Sequence, residues 1–198
     1  MASKTDIANL TIACHAGDWV EDIDGAPGRL PEAIQTLWTP VLEIALAAHP
    51  WKFAKTTWRD QPSLPSAQNP DPDRGFAYRL PPNCVRVFET RPQIEFDEWD
   101  IGITSNAGPT LTLVGTRRNV EVGRFSAFFN DYFAKLLAYH ACTPISASEA
   151  IRERCKKDAE LAFSKAASDS GRAGVVRAPF GDNLLKSRTV GLETWGRR

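Results

Sequence analysis

The sequence predicts a mainly helical α+β fold: a bundle of about four helices with a small antiparallel β-insert between the second and third, and an extended C-terminal arm. Three observations predict it. Apolar residues recur at helical spacing on either side of the middle of the chain, short alternating runs fill the middle, and the end mixes basic with apolar residues. The division that follows is a helical core over 1–170, with the β-insert at about 76–115, and an arm over 171–198.

In chain order, residues 5–16 read as a first helix, with Thr5 or Asp6 as cap, Gly17 as stop, and an apolar stripe at Ile7, Leu10 and Cys14. A second helix starts near Pro31, with Ile34, Leu37, Trp38, Val41, Ala45 and Ala48 on one face, and Pro40 kinks or restarts it. Pro50 should end it at His49 and turn the chain extended, with Trp51 and Phe53 on one side and Lys52 on the other. Residues 60–75 hold Pro62, Pro65, Pro70 and Pro72, a density that argues against helix or central strand.

Strand-like runs follow at 76–78, 85–88, 94–96, 99–103 and 110–114, with a turn at Asn106-Ala107-Gly108-Pro109. Phe125, Phe128, Phe129, Tyr132, Phe133, Leu136, Leu137 and His140 then form a helical ladder. After Thr143-Pro144, Ser146 and Glu149 have capping-box spacing for a fourth helix, whose stripe is Ile151, Cys155, Ala159, Ala162 and Phe163. The short connection makes the last two helices antiparallel neighbours.

Lys plus Arg and Asp plus Glu both number 24 in 198 residues, which argues against a nucleic-acid binder held by net charge. Local asymmetry survives: Glu89, Glu95, Asp97, Glu98 and Asp100 face Arg91 alone in one stretch. From 171 onward, Arg172, Arg177, Lys186, Arg188, Arg197 and Arg198 outnumber Asp182 and Glu193. Neither a signal peptide nor a membrane-spanning apolar run is evident, so a soluble protein of a reducing compartment is expected.

Cys14, Cys84, Cys142 and Cys155 show no CxxC pair and no metal-ligand spacing, so they read as small buried residues. No metal or cofactor is expected. His140 and Cys142 are close enough in sequence to suggest a thiolate couple, but a packed histidine is preferred, because geometry defines such sites. His49 reads as a helix-end residue whose imidazole meets terminal carbonyls. The carboxylates at 95–100 read as a solvated or partner-facing acidic edge. Trp19, Trp38, Trp51, Trp58 and Trp99 read as core or subunit-contact residues. The mixture of cations with Phe180, Leu184, Leu185, Leu192 and Trp195 reads as an arm that docks on a partner.

The blocks His49-Pro50-Trp51, Phe53-Ala54, Tyr78, Leu80-Pro81, Asn83-Cys84 and Arg86-Val87, set between helices, resemble tailed-phage head-to-tail connector or adaptor proteins. These are of the tail tubular protein A type, with equivalents in prophages and gene transfer agents. The resemblance covers most of residues 5–165. Trp19 to Gly25 replaces the family's Asp-rich turn, Pro40 is unusual, and the arm carries no family motif.

The resemblance implies a non-enzymatic virion structural protein without cofactor. It implies a homo-oligomeric ring, a dodecamer, at the neck between capsid and tail, in a protein made in the bacterial cytoplasm. The ring would dock under the portal protein and meet a stopper or tail protein below. DNA would pass through its channel without specific recognition, and no membrane is involved.

In such proteins the C-terminal segment engages the portal or a neighbouring subunit. The interface candidates are accordingly Arg172, Arg177, Phe180, Leu184, Leu185, Lys186, Arg188, Leu192 and Trp195. His49, Pro50, Trp51, Phe53, Tyr78, Leu80, Pro81, Cys84 and Arg86 are structural markers. Two rivals stand beside this reading. One is a small cytosolic hydrolase or thiol enzyme using His140 and Cys142 or the acidic edge. The other is a DNA-packaging accessory that binds nucleic acid directly, with steep salt dependence.

Overall fold

The computed structural model describes residues 2–172. Helices α1 (Lys4–Cys14) and α2 (Arg29–Ala47) lead into strands β1 (Lys55–Pro62), β2 (Phe76–Arg79), β3 (Cys84–Arg91), β4 (Phe96–Trp99), β5 (Gly102–Ser105) and β6 (Thr110–Arg117). Helices α3 (Ala127–Ala141) and α4 (Glu149–Arg172) follow. The expected bundle with a small β-insert is therefore corrected. Four helices flank two three-stranded antiparallel sheets, in the orders β1-β6-β3 and β2-β5-β4, and 21% of the described residues are strand against 44% helix. The β part has its own apolar centre. Trp58, Phe76, Tyr78, Cys84, Val87, Phe96, Ile103, Leu111 and Leu113 from both sheets pack into one cluster.

The expectation fell short because β1 is written in polar residues and ends in proline. Its exposure alternates along Lys55–Trp58, as suits a strand with one wet face. It is an edge strand, paired with β6 alone, so Pro62 removes no ladder bond that a second neighbour would need. A bulge between Trp58 and Gln61 sets Asp60 at φ +51°, a conformation that aspartate tolerates better than most residues.

Two glycines set how closely the strands approach. A Cβ on Gly115 would lie 2.2 Å from the Arg86 carbonyl oxygen, and one on Gly102 would lie 2.2 Å from that of Tyr78. Both contacts are with backbone in a neighbouring strand, which no side-chain rotation relieves.

The helix ends differ in detail from expectation. α1 is capped by Ser3, not Thr5 or Asp6. The Ser3 hydroxyl accepts from the Asp6 amide at 3.1 Å, and the Asp6 carboxylate accepts from the Ser3 amide at 2.8 Å. Its core face is Ile7, Ala8, Thr11 and Ile12, while Leu10 faces out. Thr11 can be buried because its hydroxyl bonds the carbonyls of Ile7 and, on α3, Ala134, both at 3.1 Å. α1 ends at Cys14 in a 6→1 and 5→2 pair of bonds, Gly17 N–H to Ile12 O at 3.2 Å and Ala16 N–H to Ala13 O at 3.1 Å. Ala16, not Gly17, takes the left-handed conformation at φ +54°.

α2 runs through Pro40 without interruption, with Thr39 and Pro40 on its exposed side. The fourth helix uses Ser148, whose hydroxyl accepts from the Ile151 amide at 3.4 Å, whereas Ser146 sits at φ +55° before it. α3 and α4 pack side by side through Tyr132 and Phe163, with ring centroids 5.3 Å apart. α4 continues to Arg172, taking in the first two residues of the expected arm. Arg177, Phe180, Leu184, Leu185, Lys186, Arg188, Leu192 and Trp195 lie outside the described residues, as does the side chain of Arg172.

Gly115→Ala should lower the stability of the full chain by about 3 kcal/mol or more, read as a drop in the urea midpoint at unchanged m-value. A change of less than about 0.5 kcal/mol would show that β3 and β6 can separate freely here.

Candidate functional site

His49, Pro50, Trp51, Phe53 and Arg86 of the marker residues meet at the C-terminus of α2, whereas Tyr78, Leu80 and Cys84 belong to the apolar cluster of the β part. A helix leaves its last four carbonyls without intrahelical partners, and Pro50 rules out the usual glycine-turn ending. The helix's own ladder ends with the Ala48 amide donating to Ile44 O at 3.1 Å, and two groups from outside take up carbonyls beyond it. The Trp51 indole N–H donates to Ala45 O at 2.7 Å, and the Arg86 guanidinium, on β3, to Ala47 O at 3.4 Å. The imidazole of His49 does not take this role. Its ring packs at 4.8 Å on Trp51 and at 6.5 Å on Phe163.

After Pro50 the chain turns rather than extends, with the Ala54 amide donating to Trp51 O at 3.0 Å. Trp51 and Phe53 nevertheless share a side, stacked at 6.2 Å, and both meet Phe129 of α3, at 4.9 and 4.7 Å. Trp51 is fully buried, and a ring so placed contributes about 3–5 kcal/mol on the scale of large-to-small core substitutions. On the β side, Tyr78 is buried and donates its hydroxyl to Gly108 O. Leu80 packs against the same cluster, the Cys84 amide donates to Pro81 O at 2.8 Å, and burial pushes the Cys84 thiol up to about 11.

Of the acidic edge at 95–100, Asp97 and Glu98 meet cations, as does Glu89 upstream. Arg74 meets Asp97 at 2.6 Å, Arg86 meets Glu98 at 3.7 Å, and Glu89 lies between Lys55 at 3.6 Å and Arg91 at 3.4 Å. These contacts are exposed and each contributes little.

The histidine–cysteine pairing seen in the sequence is replaced by another. Cys142 caps the C-terminus of α3 and Cys155 faces it from α4. The residue that joins them is His15, at the end of α1, rather than His140. A ring nitrogen of His15 and the two Sγ atoms all lie within 4.8 Å of one another. His15 Nε2 lies 3.0 Å from Ala138 O, to which Cys142 Sγ donates at 3.3 Å, and Nδ1 is buried without a partner. Burial, with Cys155 close by, pushes the Cys142 thiol up to about 11. A buried neutral thiol is a poor nucleophile, which weighs against a thiol enzyme at this position.

Spacing did not mark this cluster, because its members come from three helices 127 and 13 residues apart. The available signal was their place at helix ends: Cys14-His15 closes one helix, Cys142 closes another, and antiparallel α3 and α4 bring Cys155 alongside.

Several apolar side chains are left in solvent: Leu10 (46% exposed), Trp19 (74%), Ile44 (49%), Phe128 (48%) and Leu161 (62%). An open groove of about 400 Å³ runs between α3 and α4, lined by Tyr132, Leu136, Tyr139, Ala159 and Phe163 among others. No helix among the described residues is long and apolar enough to cross a membrane. No protein-family model matches the sequence, and no curated protein matches it.

Burial holds the imidazoles of His15, His49 and His140 below the ordinary histidine value. The unfolded chain therefore binds more protons than the folded one once pH falls below the unfolded value. This stability is full above about pH 6.5 and is lost as pH falls through it. The thermal midpoint should drop between about pH 6.5 and 5, with a shallower slope in His49→Gln. An equal slope in that variant would remove His49 from the account.

Proposed function

We propose that this chain is a virion structural protein, the adaptor ring between portal and tail. What supports the reading is that the first marker block and Arg86 of the second, 35 residues beyond Trp51, meet at one helix end. His49-Pro50-Trp51 and Arg86 together close α2, and Val85, between Cys84 and Arg86, packs on the helical core. Residues placed for architecture, with no chemistry attached to them, suit an assembly part.

The exposed apolar side chains support it as well. A closed ring needs two unlike faces on each subunit, because every contact is head-to-tail. Phe128 and Leu161 lie on α3 and α4, whereas Leu10, Trp19 and Ile44 lie on α1, the following loop and α2. Exposed residues of this size are ordinary one at a time, but two sets on different elements fit a heterologous contact with further copies. Balanced charge also suits a channel wall, which must let DNA slide rather than grip its phosphates.

The test is electron microscopy of the full chain, alone and mixed with a portal protein from the same genome. Rings stacked on the portal are expected, and a monomer that ignores the portal overturns the reading. Removing residues 173–198 should leave a folded chain unable to join the portal, and normal joining would refute the arm's role. Leu161→Glu should weaken subunit association at least about tenfold, given what one buried apolar contact supplies, with the circular dichroism spectrum unchanged.

A further inference from the structure

We infer that His15, Cys142 and Cys155 form a binding site for a soft divalent cation of the zinc class. The inference is independent of the assembly reading. The C-terminal ends of α1 and α3 and the second turn of α4 deliver one nitrogen and two sulfurs to one place. Tetrahedral zinc has Zn–S bonds of about 2.3 Å and Zn–N bonds of about 2.0–2.1 Å, so its ligand atoms stand roughly 3.5–3.8 Å apart. The observed limit of 4.8 Å needs only a small contraction to reach that.

The hydrogen bonds around the site are those a metal site uses. His15 Nε2 faces a carbonyl oxygen at 3.0 Å, so it carries the ring proton. The Nδ1 lone pair is then free in the neutral ring, and Nδ1 is buried without any other partner. A metal-bound histidine commonly donates its second nitrogen to a backbone carbonyl in just this way, which fixes tautomer and orientation. Ala138 O accepts from both His15 and Cys142, so it keeps a donor when Cys142 loses its proton.

Charge favours the same conclusion. Two thiolates and a neutral imidazole around a divalent cation sum to zero, which suits a site where both cysteines are buried. The cation itself supplies the positive charge that two adjacent thiolates require. Binding expels the two thiol protons to solvent, and no oxidant or reductant is needed. Cys14 is not part of the group, and its Sγ donates back to Leu10 O at 3.4 Å.

The experiment uses the full chain, purified reduced, stripped with chelator and titrated with Co2+ and then Zn2+. The expected result is about one metal per chain, a thiolate-to-cobalt charge-transfer band lost on adding zinc, and release of about two protons per zinc. The thermal midpoint should rise by about 5–10 °C at a hundredfold excess over Kd. His15→Ala, Cys142→Ser and Cys155→Ser should each weaken binding by more than the roughly 10–100-fold that loss of an outer-shell partner causes. Cys84→Ser, in the β cluster, should bind normally.

Cobalt bound without a thiolate band would overturn the inference, even if every variant failed to fold. So would zinc binding that survives all three substitutions, or a Cys142–Cys155 disulfide in freshly isolated protein that takes up no metal.

Discussion

The end of α2 is the constraint on which the rest of the structure depends. A helix that stops before a proline leaves carbonyls that must find donors. Here the donors are the indole of Trp51 and the guanidinium of Arg86, which come from the following turn and from a strand. Because Trp51 must reach back to Ala45, its ring is held where α2, α3 and α4 meet, against His49, Phe129, Tyr132 and Phe163. Because Arg86 must reach Ala47, β3 lies along the helical body. One unsatisfied helix end thereby fixes both the centre of the helical core and the docking of the sheets.

β3 is the element that belongs to both halves. Val85 packs on the helical core, while Cys84 and Val87 face the cluster between the sheets. Strict alternation would put Val85 and Val87 on one face, and register shifts between Cys84 and Arg86 and between Val87 and Glu89 break it. Gly115 lies opposite this stretch of β3, where the Arg86 carbonyl presses into the space a side chain would fill. The bulged strand, the missing Cβ and the guanidinium at the helix end act as one local solution. Ion pairs such as Arg118–Glu43 at 3.0 Å lie at its exposed edge and follow the geometry rather than cause it.

Much of this was legible in the sequence where one periodicity ruled. Phe129, Tyr132, Phe133 and Leu137 of the α3 ladder and the stripe of α4 were readable because each buries one continuous face, although Phe125 precedes α3 and Phe128 points to solvent. β1 was not, because an edge strand needs only one apolar side and can end in Pro62. The face of α1 was misread because Thr11 and Asn9 look polar, yet their hydrogen bonds to Ala134 O and to the backbone of Val20 allow burial. Trp51 and Phe53 were rightly placed on one side, but the chain reaches that arrangement by turning. The weight of the β part was hidden because two sheets enclosing their own cluster look, as isolated short runs, like one small insert. The histidine–cysteine group needed three dimensions, since its members share no spacing.

The last turn of α4 is tied to the same joint. Ser170 accepts from the Lys52 amide at 3.3 Å, and the Lys52 ammonium reaches Gly171 O at 3.1 Å. Lys52 stands between Trp51 and Phe53, so a force applied to the chain beyond Arg172 enters the fold beside a fully buried ring. The load passes across α4 into the turn at 51–54 and from there into both α2 and the sheets. A pull on the end of α4 is thereby resisted by the turn at 51–54 as well as by the packing of α4 on α3.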